Sequence, residues 1–305
     1  MTEQEELLAA VHRLAWPNTG KLECDEVGHL SGHVCLAPSD ENNLSALREA
    51  LSGRYGQPRN LAMGGYVDPT VTDRTGLPLL TPFGERIVQM GAWTYGGRWI
   101  GCGTVRFGNS VRTLALVAER EDPAADLAEG TSWVDAVVAV TGWDTTRARP
   151  VDWAAAEARI GTALPSDYKR LAEVFGFGAF DGYLQLHLPG AGATSCDIVL
   201  HAEWLGEWAG AHSGELWKPY EVYPAPGGLL QWAASETADQ FYWLTEDPDP
   251  DKWPVLASDE TRNSWQRFDG TTAEFVHRML TDRQHPFSTA CYFDTHWFES
   301  YESEG

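Results

Sequence analysis

The sequence predicts a mixed α+β protein built from two domains. The chain has 305 residues, of which 43% are hydrophobic, and this is enough to bury two ordinary cores. In each half, segments with apolar residues at helical spacing are followed by short strand-like runs, an order typical of α+β folds. A break at Arg147–Pro150 separates the two series and predicts domains at residues 1–147 and 151–305.

The first half opens with two predicted helices. Glu5–Ala15 is amphipathic, and Pro17 ends it. In the second helix, apolar residues recur every three or four positions and Gly56 follows the last of them. These residues are Leu44, Leu47, Leu51 and Tyr55. Residues 57–82 are rich in Gly, Pro and Thr, so they are predicted to form a long loop.

Three strand-like runs follow this loop: RIVQMGAWTY, RWIGCGTVRF and VRTLALVAER. Gly96-Gly97 and Gly108-Asn109 separate them, and both pairs favour tight hairpin turns because Gly and Asn tolerate positive φ. The first domain is therefore predicted to contain a three-stranded meander covered by helices. A helix over Ser132–Val140 is predicted to end it.

The second half begins with two more predicted helices. One runs from Trp153 to Ile160, and the other carries an apolar stripe that ends at Phe175 before Gly176. Short strands are predicted to begin at Tyr183, Asp197, Leu229, Phe241, Pro254 and Ser264. A last helix starts with Thr271 and Glu274, the spacing of a capping box. This order predicts an antiparallel sheet with flanking helices.

Three blocks of the second half carry a family resemblance. The first is WAAAEARIGTALPSDYKRL followed by FG, the second is GGLLQWAASETADQFYWL, and the third comprises PV, WQRF and EF. In this order, residues 152–281 resemble the SUKH superfamily, which includes bacterial immunity proteins and the fungal Smi and Knr regulators of cell-wall synthesis. Many members have a glycine in the turn of the second block, which Glu236–Asp239 lacks. Residues 1–147 resemble no family that we recognise.

The resemblance implies a binding function without catalysis. Immunity relatives block a toxin, often a nuclease or deaminase, by stoichiometric binding, and we expect the same here. A regulatory or scaffold protein of the same fold, with an endogenous partner, is the alternative. An enzyme with its site in the first half is a second alternative. No cofactor is expected, and the sequence makes no prediction of oligomeric state.

The charge pattern favours a basic protein partner. The net charge is −22, with 25 acidic and 9 basic residues after residue 150 against 19 and 13 before it. Such a surface attracts a basic protein and disfavours direct binding of nucleic acid. No apolar stretch is long enough to span a membrane. The acidic N-terminal segment is unlike a signal peptide, and five scattered cysteines suit reduced thiols, so we expect a cytoplasmic protein.

Two kinds of partner-binding residues are predicted in the second half. The first kind is an aromatic anchor beside acids, typical of interface hot spots, although packing in the core is an equal alternative. It comprises Glu203, Trp204, Glu207 and Trp208, with Trp217 nearby. The second kind is acidic turns that could dock a basic surface, namely Glu236 with Asp239, and Asp247 with Asp249 and Asp251.

Metal and catalytic sites are weighed against simpler interpretations. Cys24, His29, His33 and Cys35 are all zinc-ligand types, but the segment lacks a CxxC pair and a His-x-Cys spacing is tight for two ligands. We therefore interpret them as unrelated loop and strand residues and predict no metal site. The acids from Asp247 onward fail the calcium-loop pattern. His201 and Glu203 would share a face on a strand end, but a surface pair is favoured over a catalytic dyad.

Overall fold

A computed structural model of the chain has a mixed α+β architecture, as predicted. It divides into two compact units, Met1–Asp126 and Leu127–Gly305, so the division lies earlier than the expected break at Arg147–Pro150. The structure describes residues 3–17, 20–26, 29, 31–36, 44–69, 71–72, 76–120, 127–191, 193–211, 215–262 and 264–301.

The described part of the first unit builds one antiparallel sheet with strand order β1-β6-β5-β4-β2-β3. Its two helices are α1 (Glu3–Ala15) and α2 (Leu44–Tyr55). Its strands are β1 (His33–Leu36), β2 (Arg59–Met63), β3 (Tyr66–Val67), β4 (Ile87–Tyr95), β5 (Arg98–Phe107) and β6 (Ser110–Glu119). The predicted meander is therefore the centre of a wider sheet.

The meander β4-β5-β6 forms where the sequence predicts it. Tyr95 pairs with Arg98 and Phe107 pairs with Ser110, so each hairpin closes through a two-residue loop. The first loop residue has a positive φ in both loops, 56° at Gly96 and 59° at Gly108. Glycine takes this conformation without steric cost, which is why both turns could be predicted.

The long loop predicted at residues 57–82 is partly wrong. It contains the β2-β3 hairpin, which Gly64 and Gly65 close with φ values of 62° and 85°. The composition of the segment suggested a loop because the short strands carry few β-branched residues. The adjacent glycines Gly64 and Gly65 favour a tight hairpin turn, but the loop-like composition of the surrounding residues led us to predict a loop.

The second unit builds another antiparallel sheet, with order β12-β11-β10-β9-β8-β7-β13 among the residues described. Its helices are α3 (Trp133–Thr141), α4 (Trp153–Ile160), α5 (Ser166–Phe175), α6 (Ile198–Ala211) and α7 (Thr272–Thr281). Its strands are β7 (Gly178–Phe180), β8 (Leu184–Leu186), β9 (Leu229–Ser235), β10 (Gln240–Leu244), β11 (Val255–Ser258), β12 (Trp265–Phe268) and β13 (Phe298–Ser300).

Helices cover both faces of this sheet, and alternation along β10 shows how. Trp243 packs edge-on against Tyr168 of α5, with ring centroids 4.8 Å apart, and Phe241 packs against Phe275 of α7. Tyr242 points to the opposite face, in a core cluster with Leu205 of α6. Successive side chains of a strand alternate between faces, so one aromatic run fills two cores.

In the second unit, one helix was assigned to the wrong domain and one predicted strand is a helix. Helix α3 was expected to end the first domain, but it packs on α7, where Trp133 lies 5.4 Å from the ring of His277. The strand predicted from Asp197 is the start of α6. The Asp197 carboxylate accepts hydrogen bonds from the N–H groups of Val199 and Leu200, which favours a helix start over a strand.

The helices predicted within residues 152–281 are present in the structure. Gly161 ends α4 with φ 91°, and the stripe on α5 is buried from Tyr168 to Phe175. The side chain of Thr271 accepts the N–H of Glu274 and so begins α7. Among the described residues, no helix combines the length and the apolar character that a membrane span requires.

Candidate functional site

The main cleft of the second unit lies between α6 and the sheet face formed by β9 and β10. It has a volume of about 740 Å³, within the range of ligand and side-chain pockets. Side chains of β9, β10 and α6 contribute to its lining, together with segments that follow β8, precede α6, follow α6 and follow β11. The cleft is therefore assembled from parts of the chain far apart in sequence.

A row of neighbouring rings in edge-on and tilted contact forms the apolar wall of the cleft. Ring centroids are 5.2 Å apart between His187 and His201, 5.6 Å between His201 and Trp204, 6.4 Å between Trp204 and Trp208, and 5.3 Å between Trp208 and Trp217. Trp204 is 48% exposed, Trp208 is half-buried and Trp217 is buried. The cluster runs from the core to the surface, so core packing describes Trp217, while the role of an interface anchor stays a prediction for the exposed Trp204.

Gln231 of β9 fixes the ring of His201. Its side-chain amide donates to the carbonyl of Ala233 at 3.3 Å, so its oxygen faces His201 Nε2, which lies 3.0 Å away. His201 therefore donates from Nε2 and carries its lone pair on Nδ1. Burial lowers the pKa of His201, and the hydrogen bond to Gln231 opposes this only in part.

His187 lies at the buried end of the row. Burial, reinforced by the neighbouring His201, lowers its pKa to about 3. Its Nδ1 is buried without a hydrogen-bond partner among the described residues, although buried polar atoms are usually satisfied. Both imidazoles are thus neutral near pH 7, and Nδ1 of His187 is a buried polar atom without a partner among the described residues.

Arg262 closes the other side of the cleft. Its backbone is left-handed, with φ 53°. The guanidinium donates to Gln240 Oε1 at 3.0 and 2.7 Å, and lies 5.3 Å from the ring of Trp217. Tyr242 donates to the same amide oxygen. The cation is therefore held in place against an aromatic face.

The acids predicted beside the tryptophans have different environments. Glu203 forms an ion pair with Arg159 of α4, with both carboxylate oxygens within 2.9 Å of the guanidinium. Glu207 is exposed and, with Glu203, lines a separate cavity of about 380 Å³ that includes Tyr223. Both acids are exposed, and Glu203 is paired with a cation of the same unit.

The turn between β9 and β10 is organised by Asp239. One carboxylate oxygen accepts hydrogen bonds from the hydroxyls of Tyr183, Ser235 and Thr237 at 2.7 to 2.8 Å. Ala238, which lines the cleft, adopts a left-handed φ of 68°. This is a conformation that glycine adopts more readily than alanine, and it lies in the turn where many SUKH members have a glycine. Asp239 is thus a structural residue, while the neighbouring Glu236 is exposed.

The three acids predicted as a docking edge lie outside the cleft. Asp247 accepts the N–H of Asp249, and Asp249 accepts the N–H of Asp251 and pairs with Lys252 at 3.4 Å. Asp251 in turn accepts the N–H of Ser166 at 2.6 Å. These acids therefore stabilise their own loop and the start of α5.

The structure does not bring His201 and Glu203 together. Both lie on α6, where residues two apart point in different directions, and each has another partner, Gln231 and Arg159. Ser195 also lines the cleft, and the one hydrogen bond described for its hydroxyl is with Cys196. His201, Glu203 and Ser195 are therefore each engaged with a different partner.

Three residues of the cleft were missed by the sequence analysis. Gln231 was visible as a lone polar residue inside the apolar run LLQWAA, which is an informative position because buried polar groups need partners. His187 was a similar polar residue near the end of the strand-like run YLQLHL. Arg262 lies in a polar turn, and nothing in the sequence pattern distinguished it.

A second group of side chains converges in the first unit. The ligand atoms of Cys24, His29, His33 and Cys35 all lie within 4.8 Å of one another. Burial, then the nearby Cys24, raises the pKa of the Cys35 thiol, and burial with His29 lowers the pKa of His33. The interpretation of these four as unrelated residues is wrong.

The local backbone explains the convergence. His33 and Cys35 are alternate residues of β1, so their side chains share one face of the strand. The N–H of Gly32 donates to the carbonyl of Leu22 at 2.9 Å, which returns the segment with Cys24 to the start of β1. The His-x-Cys spacing that argued against two ligands is therefore suitable on a strand.

No protein-family model, curated protein or solved structure matches the chain. The resemblance of residues 152–281 to the SUKH superfamily therefore stays a prediction.

Proposed function

We propose that this chain is an immunity-type protein that neutralises a toxin in the cytoplasm by stoichiometric binding. The observation that carries the proposal is the aromatic cleft of the second unit, whose ring row ends at the exposed Trp204. The three sequence blocks that resemble the SUKH superfamily lie in the same unit. The resemblance supports a toxin as the partner, and the cleft supports the surface at which the toxin would bind.

The composition of the cleft suits a protein partner. Interface hot spots are rich in Trp and Arg placed in pockets that exclude water, and Trp204, Trp208 and Arg262 supply both types. The contacts of Arg262 with Gln240 and Trp217 hold its donors before binding, which lowers the entropic cost of association. We infer that an apolar or aromatic side chain of the partner enters beside Trp204.

The charge of the second half favours a basic toxin. Its acids outnumber its bases by 25 to 9 after residue 150. Toxins that act on nucleic acids carry basic clefts to hold phosphates, and an acidic surface attracts such proteins over distance. Glu207 and Glu236 are exposed and flank residues of the cleft in sequence, so they are the acids we assign to the rim.

The test takes as its probe a toxin encoded by a neighbouring gene, which inspection of the genes on either side would have to identify first. Binding to the full-length protein is measured by surface plasmon resonance, and toxin activity is titrated against it. Trp204→Ala is expected to raise the dissociation rate at least about tenfold, as removal of a hot-spot residue does. Trp297, which is 39% exposed in the same unit and outside the cleft, provides the control Trp297→Ala.

The outcomes separate the alternatives. Inhibition complete at equal concentrations of the two proteins, weakened by Trp204→Ala and unchanged by Trp297→Ala, supports the proposal. Equal rates for both variants would place the contact elsewhere. Unaffected toxin activity at saturating protein would reject the immunity function and favour the regulatory or scaffold alternative.

A further inference from the structure

We propose that Cys24, His29, His33 and Cys35 form a structural zinc site that fastens the segment before β1 to that strand. All four residue types bind zinc through nitrogen or sulfur, and two cysteines with two histidines are a common structural set. Nothing in the toxin-binding proposal requires this site, so the two proposals stand or fall separately.

Three of the six distances between ligand atoms of the cluster, those from His29 Nδ1, are close to the edges of a zinc tetrahedron. Zinc bonds of about 2.3 Å to sulfur and about 2.0–2.1 Å to nitrogen place a sulfur and a nitrogen ligand about 3.5 Å apart, and two nitrogen ligands about 3.3 Å apart. His29 Nδ1 lies 3.4 Å from Cys24 Sγ and 3.5 Å from Cys35 Sγ. It lies 3.2 Å from His33 Nε2. All three distances match the edges of the tetrahedron.

Hydrogen bonds alone explain this arrangement poorly. A neutral imidazole nitrogen either donates one proton or accepts through one lone pair, yet His29 Nδ1 faces the ligand atoms of all three other residues at contact distance. A single cation at the centre of the group satisfies the four ligand atoms together. This is why we favour a metal over a network of thiols and imidazoles.

The packing around the cluster holds two of the ligands in place. The ring of His29 packs edge-on against Phe83, a buried residue of the first core, with centroids 5.4 Å apart. Cys35 packs against the same core cluster and lies on β1, which pairs with β6. Ligands oriented by a rigid core lose less freedom on binding a metal.

The segment buries little apolar surface of its own. Among the described residues from 16 to 32, none lies in a helix or strand, and in residues 20–32 Leu22 alone is buried. A segment with so little apolar burial cannot offset its conformational entropy by packing. Because all four positions are protein ligands, the site has no place for substrate water, and we assign it a structural role.

The first experiment measures metal content in the full-length protein. Purified in reducing buffer without chelator, it is expected to carry about one zinc per chain by elemental analysis, released by a thiol-blocking mercurial. Cys24→Ser and Cys35→Ser are each expected to lose most of this zinc. The controls Cys196→Ser and Cys291→Ser alter cysteines of the second unit and are expected to retain it.

A second measurement avoids relying on variants that could fail to fold. Zinc is removed from the wild-type protein by a chelator and replaced with Co²⁺, whose tetrahedral thiolate complexes absorb strongly in the visible range. Strong bands that disappear when zinc is added back support the site. The proposal would be overturned if the purified protein held zinc only at the level of the buffer and the Co²⁺-treated protein showed no strong visible bands. Full zinc content in Cys24→Ser would also overturn it. A disulfide between Cys24 and Cys35 in the isolated protein, mapped by mass spectrometry, would also overturn it.

Discussion

The carboxylate of Asp251 accepts a hydrogen bond from the backbone N–H of Ser166 at 2.6 Å. Ser166 is the first residue of α5, and Pro165 before it offers no side-chain cap. The first N–H groups of a helix have no partner within the helix, so an acid from a distant loop supplies one here. An acid that the sequence placed at a docking edge therefore holds two segments of the second unit together.

Removing this cap should destabilise the protein. Asp251→Ala is expected to lower the free energy of unfolding by about 1 kcal/mol, the usual cost of losing an N-cap. Asp294→Ala is the control, since the Asp294 side chain is 93% exposed and its ion pair with Arg283 lies at the surface. Chemical denaturation of both variants checks the prediction, and equal stabilities would contradict it.

Replacing Ala238 by glycine should stabilise the β9-β10 turn. Ala238 has φ 68°, a conformation that costs a residue with a Cβ about 1 kcal/mol more than glycine. Ala238→Gly is therefore expected to raise the melting temperature. The matched change Ala234→Gly lies within β9, where glycine weakens a strand, and it should lower the melting temperature. Shifts of the same sign in both variants would show that φ is not the cause.

The buried imidazole of His187 should make stability depend on pH. Its pKa in the folded protein is about 3, below its ordinary value of 6.5, so the unfolded chain binds more protons between these values. The stability it contributes is fully present above pH 6.5 and is lost as the pH falls toward 3. Between about pH 7.5 and 5.5, the wild-type protein should lose about 1 kcal/mol more than His187→Gln. Denaturant unfolding at both pH values measures this, and parallel losses would contradict it.

The buried tryptophan of the ring row should contribute to folding stability, and the exposed tryptophan should contribute to partner binding. Trp217 is buried, so Trp217→Ala is expected to cost about 3–5 kcal/mol of unfolding free energy. Trp204 is 48% exposed, and Trp204→Ala should cost about 1 kcal/mol or less. Thermal melting of the two variants tests this difference. A large loss of unfolding free energy in Trp204→Ala would mean that any weaker binding by this variant results from partial unfolding and not from a lost contact.

Most helices and strands could be predicted because their patterns are local. The spacing of Leu47 and Leu51 and the turn at Gly96 depend only on neighbouring residues. Errors arose where one local signal hid another: Asp197 starts a helix inside an apolar run, and Gly64-Gly65 closes a hairpin inside a loop-like composition. Helix α3 was predicted correctly but assigned to the wrong side of the division, because its packing on α7 is a long-range contact.

The candidate sites were less predictable because they combine distant segments. Trp204 and Trp208 could be placed on one helix face from their spacing, but their neighbours come from β9 (Gln231) and from the segments after β8 (His187) and β11 (Arg262). The four zinc-ligand types were visible in sequence. Their convergence depends on the hydrogen bond that returns Leu22 to Gly32, which no pattern of residue types encodes.

The position of Trp204 at the open end of the ring row also makes the cleft an optical probe. Indole emission shifts to the red in water and to the blue in an apolar environment. Trp217, Trp232 and Trp243 are buried and emit from apolar surroundings whether or not the cleft is filled. The side chain of Trp204, in contrast, is about half exposed to solvent. A side chain that covers it should shift the emission of the whole protein toward the blue, so occupancy of the cleft can be followed without a label.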